Sequence, residues 1–246
     1  MRLIAAIAIA VWLGADTYGG VTITTFTHSH IQFQDVNKVI HVDPWSVSDL
    51  SNASPADLIL ITDDVGHHLD PKAIARLRKP GAPVVIPASG RKQVPDGIVM
   101  ANGDTREIAG ITIEATPAYD VTPGESFHPR GEANGYILTL GSSSRRFYVV
   151  GVTECVPEIR GARSDVVFFP MNLPAARMEP AAAIDCISAM RPKPMVVYPY
   201  HYDQEWARPV PADRKRPQPS TRGLQELSEA LSRQKIEVRL ADWYQQ

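Results

Sequence analysis

Leu58 to Pro71, LILITDDVGHHLDP, is the stretch that decides how this chain reads. Four apolar residues, Leu58 to Ile61, have the length and side chains of a buried strand. The polar turn behind them delivers Asp63, Asp64, His67 and His68 within six positions. Asp70-Pro71 then opens a helix, with aspartate as N-cap and proline at the first helical position. Carboxylates and imidazoles at a strand exit are what a metal centre or an acid–base pair needs, because the strand is rigid and the loop exposes the side chains.

Outward from this stretch, Val21 to Asp43 reads as a β-meander: VTITTFT, IQFQ, a turn at Asp35-Val36-Asn37, and VIHVDP. A helix over 71–78 and a short strand, PVVIPA (83–88), follow. Further strands are predicted at 98–101, 106–108, 111–116, 136–140 and 146–152. Pro117 to Asn134 is a long loop carrying His128. In the second half, Asp165–Phe169 and Met195–Tyr198 are continuous apolar runs, expected of strands covered on both faces. Helices are predicted near 179–190 and 224–233, with a last strand at 236–240. Residues 203–222, charged and proline-rich, leave a solvated loop and a flap over the site both open.

The chain has 246 residues, 44% hydrophobic and 21% charged, enough for one large α/β domain with a substantial core. A net charge of −2 excludes an electrostatic case for nucleic acid or an anionic membrane. Residues 1–15, MRLIAAIAIAVWLGA, read as a secretory signal, too short to span a bilayer, with a buried first strand as the alternative because Leu13 suits a cleavage site poorly. Cleavage there leaves a single domain over 16–246 that is periplasmic or secreted; without cleavage the protein is cytoplasmic. Cys155 and Cys186 are no disulfide framework, though one bridge is open in an oxidising compartment. His30 and His41 alternate with apolar residues and read as exposed strand positions.

With VIHVDP, PAYD, FHPRGEANGYILTLG, YVVGVTECVPEI, FFPMNLP, VVYPYHY and IEVRLADWY in the same order, the chain resembles the metallo-β-lactamase superfamily, in its single-domain metal-dependent hydrolase branch. The resemblance covers nearly everything from Thr22 onward. It implies an αββα sandwich, two mixed sheets flanked by helices, with metal held on loops at one edge.

The family's first motif, His-x-His-x-Asp-His, stands here as Asp63, Asp64, Val65, Gly66, His67 and His68. Its Gly-Asp-Thr is Gly151-Val152-Thr153, and Asp120 matches the middle histidine. The first metal position would keep only Asp63 and Asp120, a poor zinc site. The second would have His67, His68 and His201, three imidazoles with an open fourth position. The resemblance therefore implies one zinc, or another divalent ion, at a reduced mononuclear centre. A metal-activated water would hydrolyse an ester, lactone, amide or phosphoester in a small-molecule substrate, with Asp63 or Asp64 accepting or orienting the proton. Asp120, His128 and His28 are further candidates for ligation or substrate contact, and Asp43 for holding a ligand through hydrogen bonds. The alternative is a scaffold that has lost its metal, Val65 and Val152 packing the vacancy as core, and that binds a small ligand without catalysis. The substrate, the pairing of the cysteines and the oligomeric state are open at this level.

Overall fold

The computed structural model describes residues 11–12, 15–124, 126–208, 210–211, 214–215 and 218–244. It contains two seven-stranded mixed sheets flanked by helices. Both sheets follow one plan, an antiparallel meander of four strands continued by three parallel ones. The first runs Ala15–Tyr18, Val21–Thr25, Ile31–Asp35, Lys38–Val42, Leu58–Leu60, Val84–Ile86 and Ile98–Val99. The second runs Thr105–Ile108, Ile111–Ala118, Ala133–Leu140, Arg145–Val149, Val166–Pro170, Val196–Tyr200 and Glu237–Val238. A two-stranded parallel ladder joins Val11–Trp12 to Leu240–Ala241. Most of the segment read as a signal lies outside the described residues. No helix among the described residues is long and apolar enough to cross a membrane.

Period-two alternation explains how the decisive strand is buried on both sides. Leu58 and Leu60 enter the core between the sheets with Phe33, Ile40, Tyr136 and Phe147. Ile59 and Ile61 face the other way and pack with Ile74, Val84 and Ile86 under the helix Pro71–Leu77. Each such side chain contributes about 1.5–3 kcal/mol of burial. The helix starts where the sequence predicts it: Asp70 Oδ1 accepts the N–H groups of Lys72 (2.9 Å) and Ala73 (3.4 Å), and proline follows.

Two expectations are corrected. His30 and His41 are not exposed; both are fully buried, with His30 Nε2 2.8 Å from His41 Nδ1. His30 stands in the turn before Ile31–Asp35, stacked on Phe26 with ring centroids 4.4 Å apart, and His41 Nε2 reaches Ser54 O at 2.8 Å, so loop segments enclose both rings. Val65 does not pack a vacancy, since it is 38% exposed, whereas Val152 is core. The pairing of the cysteines, open in the sequence, is settled in the fold: Cys155 is bridged to Cys186.

That bridge spans 31 residues and ties the segment after Glu154 to the helix Pro180–Ala189. Closing a loop of this size stabilises the fold by about 3–4 kcal/mol through the unfolded chain. Urea midpoints with and without reductant should differ accordingly. Coincident curves would mean the bridge does not form in solution.

Candidate metal centre

The loops that carry chemistry leave the sheets at one edge, where the parallel strands end. Asp43 follows Lys38–Val42, Thr62 to His68 follow Leu58–Leu60, and His201 follows Val196–Tyr200. Asp120 and Thr153 leave the second sheet beside them. Two bonds fasten the sheets here: Asn134 N–H donates to Thr62 O (2.9 Å) and the Tyr136 hydroxyl to Ile61 O (2.9 Å). Gly151 is required at its corner. Its φ is +80°, and a Cβ would meet Asn134 O at 2.8 Å, which is a steric reason for glycine to stand before Val152.

Four imidazoles converge at this edge. His28, His67 and His201 each offer a ring nitrogen, all within 4.8 Å of one another, the one such cluster among the described residues. His28 arrives from the turn between Val21–Thr25 and Ile31–Asp35. Its N–H donates to Trp243 O (2.8 Å) and its carbonyl accepts His201 N–H (3.3 Å), so the C-terminal segment and the His201 loop are pinned to one turn. His28 Nδ1 lies 3.2 Å from the Tyr244 hydroxyl, while its Nε2 is buried without a partner.

His68 stands differently. Its Nδ1–H donates to Asp43 Oδ2 at 2.6 Å, and its Nε2 lies 3.0 Å from His201 Nε2. Asp43 also accepts the N–H (2.7 Å) and hydroxyl (2.6 Å) of Thr62, so it ties the His68 ring to the Thr62 turn. His201 Nδ1 is met by the Gln204 side-chain amide at 2.5 Å. His28, Asp43 and His201 all have left-handed backbones, with φ of +66°, +47° and +53°. Such conformations cost about 1–3 kcal/mol each and persist where the surroundings over-determine them, as at binding sites.

Burial sets the electrostatics. It pushes the His28 and His201 imidazoles well below their ordinary range, and the neighbouring imidazoles push the same way. His67 is lowered to about 3, by burial first and then by His68. These rings are therefore neutral at physiological pH, the form in which histidine ligates metal.

The carboxylates lie on the other side and are already paired. Asp63 Oδ2 is 3.2 Å from His128 Nε2, and His128 Nδ1 is 3.6 Å from Asp120 Oδ1. Asp120 Oδ2 accepts the N–H groups of Phe127 (2.8 Å) and His128 (3.0 Å) and meets Arg177 Nη1 at 3.3 Å. Burial pulls the His128 imidazole down, but its bond to Asp63 and the charges of Asp63 and Asp120 outweigh that and raise it. Burial likewise pushes the Asp63 carboxyl up, and His128 with His68 more than offsets it, leaving it lowered. Asp64 is raised, by burial first and by Asp63 second; its N–H donates to Asp63 Oδ1 (2.7 Å).

Of the residues singled out in the sequence, His67, His68 and His201 come together, joined by His28, whereas Asp63, Asp120 and His128 form a separate ion-pair chain. Arg177 and Gln204 carry no motif and were missed, and Tyr244, the last residue of IEVRLADWY, was quoted for the resemblance without a role at the site. A buried arginine or a glutamine three residues past a histidine gives no signal without the fold.

The cluster can hold a divalent ion. The shielded, unpartnered His28 Nε2 and the neutral nitrogen donors suit zinc or a similar borderline metal.

A family model described as the β-lactamase superfamily domain matches residues 22–201. No curated protein matches the chain. Among solved structures, a protein from Parabacteroides distasonis ATCC 8503, provisionally named a metal-dependent hydrolase, is 34% identical. The match covers 95% of this chain and 100% of that one with a TM-score of 0.79. Igni18, a metallo hydrolase from the archaeon Ignicoccus hospitalis KIN4/I, shares 21% identity over 92% of this chain and 96% of its own (TM-score 0.68), a likeness of fold. So does CmlA, a diiron β-hydroxylase from Streptomyces venezuelae, at 14% identity over 92% of this chain and 53% of that one (TM-score 0.65). The fold alone thus hosts both hydrolytic and oxidative chemistry. The family match and the full-length likeness to the Parabacteroides protein, on a double seven-stranded sandwich with histidines at its loop edge, show that this chain belongs to the metallo-β-lactamase-fold family of metal-dependent hydrolases.

Proposed function

We propose that the protein hydrolyses an ester, lactone, amide or phosphoester bond in a small molecule, using one divalent metal held by His28, His67 and His201. The observation that carries this reading is the convergence of three ring nitrogens, two from buried histidines and one from the half-buried His67, with His28 Nε2 unpartnered. A divalent ion on three neutral imidazoles keeps an open position and acidifies water there. His68, tethered by Asp43, braces His201 rather than joining the cluster. Asp63, its carboxyl lowered beside His128 and its other oxygen taking the Asp64 N–H, would be the group to accept a proton from a metal-activated water.

A single ion follows from where the chain's own cations stand. In the sequence reading, Asp63 and Asp120 are the carboxylates left at the first metal position. His128 and Arg177 stand against them, at 3.2 Å from Asp63 and at 3.6 and 3.3 Å from Asp120, so a second ion would have to compete with both side chains for these carboxylates. Elemental analysis of protein purified without chelator should give about one equivalent of zinc or a similar metal. Chelation should abolish turnover of ester, lactone and phosphodiester substrates, and restoring metal should return it. Two equivalents would overturn the single-ion centre. Protein that takes up no metal would instead favour the binding scaffold.

A further inference from the structure

A second polar cleft lies at the opposite end of the second sheet. It is about 510 Å³ in volume and is lined by Arg145, Arg146, Arg163, Ser164, Asp165 and Lys193 among others. The strands Val166–Pro170 and Val196–Tyr200 begin at this cleft, whereas His201 leaves the far end of the second of them. Five residues of strand separate the two places by roughly 17 Å.

The charges in the cleft are unevenly matched. Arg146 is spent on Glu114, with guanidinium contacts of 2.5 and 3.0 Å, and Arg145 meets Asp165 at 3.4 Å. The other Asp165 oxygen accepts the Arg146 N–H (2.9 Å). Arg163 has no carboxylate partner among the described residues, and Lys193 Nζ has only the neutral Gln234 Oε1 (2.8 Å). Two cations therefore remain in excess. A second observation points the same way. Ser164 is only 5% exposed and lines the cleft, yet its Oγ has no hydrogen-bond partner. A buried hydroxyl without a partner is rare and calls for an explanation. An acceptor entering the cleft would supply one.

We infer that this cleft binds a tetrahedral oxyanion of the phosphate or sulfate type, gripped by Arg163 and Lys193 and accepting the Ser164 hydroxyl. A guanidinium fork matches two oxygens of such an anion, and an ammonium adds a point charge. The inference is independent of the metal centre, since none of these residues touches the histidine cluster.

Calorimetric titration with inorganic phosphate at constant ionic strength tests it on four proteins: wild type, Arg163→Ala/Lys193→Ala, Ser164→Ala and His201→Ala. Wild type and His201→Ala should bind saturably. The double variant should lose at least about tenfold in affinity, and Ser164→Ala should fall between. Arg163 and Lys193 are exposed, so folding is not at stake. Vesicles containing phosphatidic acid, run in parallel, separate the two sources of the group. Co-sedimentation lost in the double variant would place it on a lipid headgroup, and phosphate binding without co-sedimentation would place it in solution. No saturation by about 10 mM phosphate would overturn the site. Binding lost in His201→Ala but kept in the double variant would also overturn it, because the anion would then sit at the metal centre.

Discussion

His28→Ala should lower metal affinity by more than about 100-fold, and His68→Ala by only about 10–100-fold, the range typical of residues that act on a ligand from outside. Sequence spacing ranks them the other way, because His68 keeps a family ligand position and His28 belongs to no motif. In the fold, His28 carries the buried, unpartnered nitrogen, while the two nitrogens of His68 face Asp43 and His201. With its proton on Nδ1, shared with the Tyr244 hydroxyl, His28 turns the lone pair of Nε2 into the cluster. Alanine at position 28 keeps both backbone bonds that pin the turn, so circular dichroism should be unchanged. Competition against a chelator of known affinity measures the loss. A His28→Ala protein that keeps its metal while His68→Ala loses it would return the ligand set to His67, His68 and His201. Asp43→Ala should behave unlike either. It strands the His68 Nδ1–H and both Thr62 donors in the interior, and each orphaned group costs about 1–3 kcal/mol, so it should destabilise the fold as well as the site.

The metal-free protein should be acid-labile well above the carboxylate range. His41 Nε2–H donates to Ser54 O (2.8 Å), which leaves its Nδ1 to accept from His30 Nε2–H. His30 Nδ1 is then a buried lone pair without a partner. Burial holds His41 down to about 4, with the Ser54 bond opposing it only in part, and His30 is also lowered, by burial and then by His41. Because the folded values lie below the unfolded value of about 6.5, the unfolded chain takes up protons first as the medium is acidified. The stability contributed by neutral His41 is complete above pH 6.5 and is lost as pH falls from there toward 4. The loss approaches about 3 kcal/mol, a large part of the 5–15 kcal/mol of a typical domain. Urea denaturation of chelator-treated protein at pH 7.5, 5.5 and 4.5 should show the decline. His41→Gln, which keeps an acceptor and a donor, should flatten it by about one proton. An unchanged slope in that variant would assign the acid sensitivity elsewhere.

The two predictions mark where sequence and structure part. Period and punctuation were enough for the elements: the apolar run Leu58–Ile61, the Asp70-Pro71 helix start and the continuous strands near 166 and 196 are local patterns, and the chain follows them. Order of motifs was enough for the αββα sandwich. Local pattern failed where burial depends on what lies across a face. Alternation at His30 and His41 looks half-exposed, but the stacking of Phe26 on His30 and the approach of Ser54 to His41 put both rings inside.

By itself, then, the sequence determined the family, the edge of the sandwich where chemistry gathers, and the supply of histidines and carboxylates there. Only the tertiary structure decided how these divide. It turned His28, from a hairpin turn roughly 40 residues before His67, into the cluster, and drew Arg177 and His128 onto the carboxylates. The physical reason is that ligand sets and ion pairs are fixed by distances between loops of different strands. Those distances are set by sheet packing and by bonds such as His28 N–H to Trp243 O, which join residues far apart along the chain.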